Sequence, residues 1–335
     1  MSARSADSSG DQPTVISTFA GCGGSSLGYK LAGFRELLAV EWDQNAVDTF
    51  RLNFPDVPVY HGDICKLTGA ECMRLAGIGP GELDVFDGSP PCQGFSTAGK
   101  RRFDDPRNSL FKEYARLLKE LQPRVFVMEN VTGMVKGCMK QAYLAIVATL
   151  RACGYRVKGE VLNAMYYNVP QSRERVIIIG VRNDLGIEPS HPKPQTRPMT
   201  VREAFADVIV EGDQHRGASD RVLAYAKQHP GGWNTNMRTM IRVSGKTYSV
   251  ASLKWAELDR PLGTVAKQEI VDSGVMAPCR TRYLSMNELK AAASFPQSFN
   301  LVSRKNAVER IGNSVPPNLM RAIAEHVRRE ILRHG

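Results

Sequence analysis

The sequence predicts an α/β fold, a doubly wound and mostly parallel sheet accompanied by a smaller second domain, and three observations carry that reading. Short β-branched runs alternate with helical periodicity through the first half of the chain. A glycine-rich turn follows the first of those runs, and beyond Val181 the alternation gives way to Pro- and Gly-interrupted sequence before helical signals return near the end.

Taken in order, the strands are predicted at 14–19, 37–41, 57–60, 83–87, 125–129, 156–163 and 175–181, with helices beginning near Ser25, Gln44, Ser109 and Met139. The helix from Ser109 puts Leu110, Tyr114, Leu117, Leu118 and Leu121 on one stripe, the pattern of a helix packed on a sheet. After Val181, Pro189, Pro192, Pro194, Pro198, Pro230 and Pro261 interrupt any long periodicity, so a domain boundary is placed there. Helical patterns return at 285–294 and 318–333. The chain is therefore expected to form a first domain from 13–184, to leave it for a second domain at 185–281, and to return through a connecting segment at 282–299 to complete the first with 300–335. Residues 1–12 read as a short frayed tail, and no internal repeat is present.

Composition bounds the function. With 335 residues, 42% hydrophobic and 23% charged, the chain can bury a large core and is ordinary for a globular protein. Its longest apolar runs, such as Val176-Ile177-Ile178-Ile179, are far too short to cross a bilayer, and the N-terminus lacks the apolar stretch of a secretory signal, so an intracellular protein is expected. Seven cysteines (22, 65, 72, 92, 138, 153 and 279) contain no CxxC pair, which fits neither a disulfide framework nor a zinc ribbon. His61 and Cys65 read as unrelated residues, and no metal is expected. The net charge of +10 suits a polyanionic partner without naming one.

The turn Ala20-Gly21-Cys22-Gly23-Gly24 joins the first strand to the first helix, and small residues there let backbone approach a ligand at the strand's carboxyl end. Glu41-Trp42 closes the second strand about 20 residues beyond the glycines, where related folds place an acid for ribose hydroxyls. Asp63-Ile64 follows the third strand. Two acids at successive strand ends beside a glycine turn suit an adenosine-like ligand, and a nicotinamide enzyme stays open at this point.

A second constellation lies further along the same edge. Pro90-Pro91-Cys92-Gln93 follows the fourth strand and sets a cysteine on a Pro-fixed loop, with the basic run Lys100-Arg101-Arg102 after it to favour a thiolate. Glu129 closes the fifth strand near that loop and can give or take a proton. Gln171-Ser172-Arg173-Glu174-Arg175 then supplies cations, and strand alternation sends Arg173 and Arg175 to one side.

Together these segments closely resemble the bacterial-type cytosine-5 DNA methyltransferase family, and their order along the chain matches as well. Phe19-Ala20-Gly21-Cys22-Gly23-Gly24 resembles its cofactor loop, Pro90-Pro91-Cys92-Gln93 its nucleophile loop, Glu129-Asn130-Val131 its acid motif and the 171–175 segment its arginine motif. Arg282-Tyr283-Leu284-Ser285 through Phe299, and Gly312-Asn313-Ser314-Val315-Pro316-Pro317, resemble the last two motifs, with Ser314 where many members have alanine. Residues 185–281 match no family block, as the family's variable target-recognition region does.

The resemblance implies a Rossmann-like, S-adenosylmethionine-dependent methyltransferase fold with a target-recognition domain, acting on duplex DNA without a metal and leaving S-adenosylhomocysteine. Cys92 would add to carbon 6 of a flipped-out cytosine, Glu129 would contact ring nitrogen 3 and the amino group, and Arg173 with Arg175 would hold the base or its phosphate. The cofactor would lie against Phe19, Ala20, Gly21, Cys22, Gly23, Gly24, Glu41, Trp42, Asp63, Ile64, Pro91, Leu110, Asn313 and Ser314. Gln93, Ser96, Lys100, Arg101, Arg102 and Arg107 are the candidate DNA contacts, on a loop at 95–108 that would close over the target. Such enzymes are monomers of the bacterial cytoplasm that can accompany an independently acting restriction endonuclease. A transfer-RNA cytosine methyltransferase on the same scaffold and a non-catalytic DNA-binding relative are the alternatives; the Cys-Phe-Thr tripeptide of the former is missing and the intact Cys, Glu and Arg set argues against the latter.

Overall fold

A computed structural model describes residues 12–91, 109–135, 139–228, 239–243, 246–250, 253–267 and 274–333. The strands of the first half are β1 (Thr14–Thr18), β2 (Arg35–Glu41), β3 (Val59–His61), β4 (Val85–Gly88), β5 (Val125–Val131), β6 (Tyr155–Asn163), β7 (Gln171–Ser172) and β8 (Glu174–Arg182). Between them run α1 (Gly24–Leu31), α2 (Gln44–Asn53), α3 (Gly69–Ala76), α4 (Ser109–Leu121) and α5 (Lys140–Ala152). Seven strands form one sheet in the order β3-β2-β1-β4-β5-β8-β6. The first five are parallel, whereas β8 runs antiparallel to both β5 and β6.

Alternation along each strand feeds two cores, one on each face, as a sheet covered on both sides requires. Ile16, Phe86, Phe126, Met128 and Ile178 point to the face covered by Tyr114, Leu117, Leu118 and Leu121 of α4, all at most 1% exposed. Val15, Val85, Val125, Val127, Ile177 and Ile179 point the other way, against Tyr29 of α1 and the C-terminal helix. Truncating a fully enclosed ring such as Phe126 to alanine costs about 3–5 kcal/mol.

The second half of the chain contains short elements: α6 (Val201–Ala204), α7 (Asp220–Gln228), β9 (Thr239–Val243), β10 (Lys246–Val250), β11 (Leu253–Trp255), β12 (Leu262–Gly263) and β13 (Gly274–Met276). Three helices follow, α8 (Met286–Ala292), α9 (Arg304–Asn313) and α10 (Pro317–Val327). Ser285 and Glu288 close a reciprocal capping box at the start of α8, and Pro317 occupies the first turn of α10, where its missing N–H costs nothing. The C-terminal segment lies in the second core with β1, β4 and β5 through Val315, Leu319, Met320, Ile323, Val327 and Ile331.

A third core joins distant stretches of chain: Phe50 and Phe54 of α2 pack with Val201, Leu262, Val265, Val275, Leu289, Phe295 and Val308. Helix α9 lies outside the predicted elements because its sequence is polar nearly all round. It is held by burying Ala307, Val308 and Ile311 and by Arg310, which pairs with Asp43 at 3.0 Å. Short α3 and α6, of 8 and 4 residues, likewise span too few turns for a repeating period to show.

Candidate active site

The carboxyl ends of β1, β2 and β3 build the first half of the site. Leaving β1, the chain passes Phe19 at a φ of 54° and turns through Gly21 and Gly23 at 57° and 95°, left-handed values that the two glycines tolerate without strain. The glycines do different jobs. Added side-chain carbon would stand 2.4 Å from the Phe54 ring at Gly23 and 2.4 Å from the Val315 carbonyl at Gly24, so these two permit close packing. At Gly21 it would meet nothing within 4 Å, and this position faces open space. Gly28, one turn further into α1, would place it 2.5 Å from Met320, which is why α1 and α10 lie so close.

Glu41, 9% exposed at the end of β2, is fixed by three backbone N–H donors: Gly21 to one carboxylate oxygen at 2.8 Å, and Trp42 and Asp43 to the other at 2.9 Å each. A carboxylate offers about four acceptor positions, so room remains for a hydroxyl. Beside it Trp42 is 77% exposed and presents a large flat apolar surface. On the adjacent strand Asp63 is exposed and accepts the Cys65 N–H at 3.0 Å, and that hydrogen bond holds its carboxyl below the usual range. Ile64 next to it is buried. Ala20 is half-buried, and its carbonyl accepts the Gly23 N–H at 3.0 Å.

The last predicted motif reaches the same place from the far end of the chain. Ser314 ends α9, with its hydroxyl 3.2 Å from the Cys22 sulfur and donating to the Arg310 carbonyl at 2.7 Å. Burial pushes the Cys22 thiol up to about 11, so this cysteine is no nucleophile at neutral pH. Asn313 is exposed at the helix end, while Pro91 and Leu110 are half-buried. A hydroxyl acceptor at Glu41, a second acid at Asp63, an exposed indole and an open glycine position fit a nucleoside-bearing cofactor.

The second half of the site lies on β4, β5 and β8. Gly88 closes β4 where a side chain would strike the Thr18 hydroxyl at 2.4 Å and Tyr114 at 2.7 Å. Before it, Asp87 is buried with its carboxylate accepting the Tyr29 hydroxyl at 3.2 Å, and burial raises its pKa well above the carboxylate range. Asn130 donates to the Pro90 carbonyl at 3.0 Å, bracing the loop that enters residue 92. Sequence reasoning gave Asp87 and Asn130 no role; polar residues inside otherwise apolar strands were the available signal. Cys92, Gln93, Ser96, Lys100, Arg101, Arg102 and Arg107 lie outside the described residues.

Gly88 pairs with Met128, so Glu129 stands one residue further along the same rim. Its carboxylate is largely enclosed and meets the Arg175 guanidinium at 2.8 Å. Arg173 sits where the chain leaves β7, which pairs with β12, and enters β8 of the main sheet. Only 2% exposed, it donates to the carbonyls of Val265 at 3.3 Å and Gly312 at 3.0 Å, and its buried Nε has no hydrogen-bond partner among the described residues. Burial, then the neighbouring Arg175, lower its pKa to about 9, and Glu129 opposes the shift. Both arginines are thus within electrostatic reach of Glu129, although Arg173 lies off the regular strand on which alternation placed it. Gln171 completes the junction, accepting the Val265 N–H at 3.0 Å and donating to the Ala292 carbonyl at 3.0 Å.

Known proteins resemble this chain over most of its length. The family model described as C-5 cytosine-specific DNA methylase matches residues 13–329. The type II methyltransferase M1.HphI of Haemophilus parahaemolyticus is 37% identical over 332 residues, covering 94% of this chain and 86% of that protein. The type II methyltransferase M.XorII of Xanthomonas oryzae pv. oryzae is 31% identical over 360 residues, covering 94% and 84%. Among solved structures, a putative DNA modification methyltransferase encoded within an Escherichia coli prophage superposes with a TM-score of 0.72 at 24% identity, over 96% of this chain and 100% of that one, a likeness of fold.

Proposed function

This chain belongs to the family of C-5 cytosine-specific DNA methylases, and on that premise we propose that it transfers a methyl group from S-adenosylmethionine to carbon 5 of a flipped-out cytosine in duplex DNA through Cys92. Carbon 5 of cytosine is a weak nucleophile until a group adds to carbon 6. The Cys92 thiolate forms the sulfur–carbon 6 bond, and the displaced ring electrons shift toward nitrogen 3, where contacts from Glu129 to that nitrogen and the amino group would support the shift. When bound, S-adenosylmethionine supplies a methyl carbon on a positively charged sulfur, and its carbon–sulfur bond breaks as the bond to carbon 5 forms. Loss of the carbon 5 proton to water then re-forms the double bond between carbons 5 and 6 and expels the Cys92 thiolate.

The observation that carries this reading is the common rim: Glu129, paired with Arg175, stands one residue past the partner of Gly88, on the strand beside the loop that leads through Pro91 into position 92. Reaching the ring requires unstacking the base, at a cost of a few kcal/mol, which contacts from the 95–108 loop would offset. Gln93, Ser96, Lys100, Arg101, Arg102 and Arg107 are assigned to that loop's DNA contacts. Glu41 would hold the ribose hydroxyls, Asp63 the adenine amino group and Trp42 the adenine face. Phe19, Ala20, Gly21, Cys22, Gly23, Gly24, Ile64, Pro91, Leu110, Asn313 and Ser314 would line the rest. Residues 13–184 with 300–335 would form the catalytic unit and 185–281 the segment that reads the target, joined through 282–299. Support for the return is the place of α10 in the core of β1, β4 and β5. The enzyme would act as a monomer on chromosomal DNA in the bacterial cytoplasm, and any cognate endonuclease would act on the same sequence independently.

Bisulfite sequencing of DNA from a host expressing the chain tests the reading. One recurrent sequence should carry protected cytosines with the native chain and none with Cys92→Ala; protection that persists in the variant would refute the role of the thiol.

A further inference from the structure

Lys254 stands on β11, in the segment proposed to read the target, and its ammonium donates to the Thr264 carbonyl. Thr264 is held from the other side as well, its hydroxyl donating to the Ser172 carbonyl at 2.9 Å. The next residue, Val265, accepts Arg173. Lys254 and Arg173 therefore grip successive carbonyls of one short stretch, and burial and then the charge of Arg173 lower the Lys254 pKa. The carboxylate that acts on Arg173 is Glu129, already paired with Arg175. Among the described residues, neither Lys254 nor Arg173 has a carboxylate within ion-pair distance.

A neutral donor would satisfy the Thr264 carbonyl at less cost. An ammonium beside a buried guanidinium is unfavourable unless a negative charge completes the cluster. The half-buried ammonium has three donors and Thr264 uses one. On the strength of the duplex-DNA reading above, the anion brought to this rim is a phosphodiester. We infer that Lys254 is a DNA-backbone ligand, placed by the recognition segment next to Arg173 so that one phosphate near the target nucleotide compensates both cations. Such a contact fixes register and carries no sequence information.

The test uses the full chain with S-adenosylhomocysteine, a duplex carrying the methylated sequence and an unrelated duplex. Lys254→Gln keeps a donor for Thr264 and removes the charge; Lys254→Arg keeps the charge. For Lys254→Gln, the slope of log Kd against log salt should become shallower by about 0.9, so the affinity lost between about 50 and about 200 mM salt is roughly threefold smaller than for the native chain. Both duplexes should weaken alike, and Lys254→Arg should restore the native slope. An unchanged slope in Lys254→Gln, a changed ratio between the duplexes, or failure of Lys254→Arg to restore the slope overturns the inference. A native chain that methylates cytosine while Lys254→Gln keeps its slope sinks this assignment alone, whereas a native chain that methylates no cytosine sinks the broader reading.

Discussion

Glu41 and Arg173 are both charged, nearly enclosed and at the carboxyl edge of one sheet, yet they are held in opposite ways. Glu41 is held by backbone N–H groups from residues 1, 2 and 20 positions away, all within one β-α-β passage. Arg173 is held by carbonyls 92 and 139 positions away, one in the segment after β12 and one at the end of α9. The cofactor side of the rim is therefore assembled locally. The arginine side exists only once three remote parts of the chain have met.

The largest expected effect follows from that difference. Arg173→Met leaves the Val265 and Gly312 carbonyls buried without donors, at about 1–3 kcal/mol each. A loss of about 2–6 kcal/mol in urea unfolding should accompany the loss of methyl transfer, and a variant of native stability would show that the three-way junction is not held there. On the other side, Glu41→Ala should weaken S-adenosylhomocysteine binding by roughly 30-fold, the equivalent of about 2 kcal/mol, with DNA affinity nearly unchanged. Calorimetry giving the reverse ranking would erase the distinction between the two edges.

The smallest effect concerns Glu36, also on β2 and also locally held, by the Ser26 hydroxyl at 2.9 Å. Burial raises its pKa from 4.5 to about 7. Between those values the folded chain binds a proton that the unfolded chain has lost, so this group's contribution to stability falls as pH rises from 4.5 to about 7 and stays low above it. Glu36→Gln should therefore match the native chain at pH 4 and exceed it at pH 8. Equal thermal midpoints at both pH values would remove Glu36 from the picture.

The same contrast explains what could be read from the residues. All seven strands of the main sheet were legible because β-branched runs such as Val176 to Ile179 carry their own signal, and the glycine turn and its acids lie close in sequence. The reversal of β8 was not legible, since a strand buried on both faces looks alike in either direction. Nor was the grip of Gln171, Arg173 and Lys254 on Thr264 and Val265, because each contact joins segments that share no local pattern. Gly23 and Gly24 were read for their closeness to a ligand, and their packing against Phe54 and Val315 was visible only in three dimensions.

The most direct test of the proposed chemistry is to incubate the native chain and S-adenosylmethionine with a duplex in which 5-fluorocytosine replaces the target base. Fluorine at carbon 5 removes the proton whose departure frees the thiol. Mass spectrometry should find a stable protein–DNA conjugate carrying one methyl group, linked through the peptide that contains Cys92. Complete turnover without a conjugate, or a conjugate through any other residue, would contradict it.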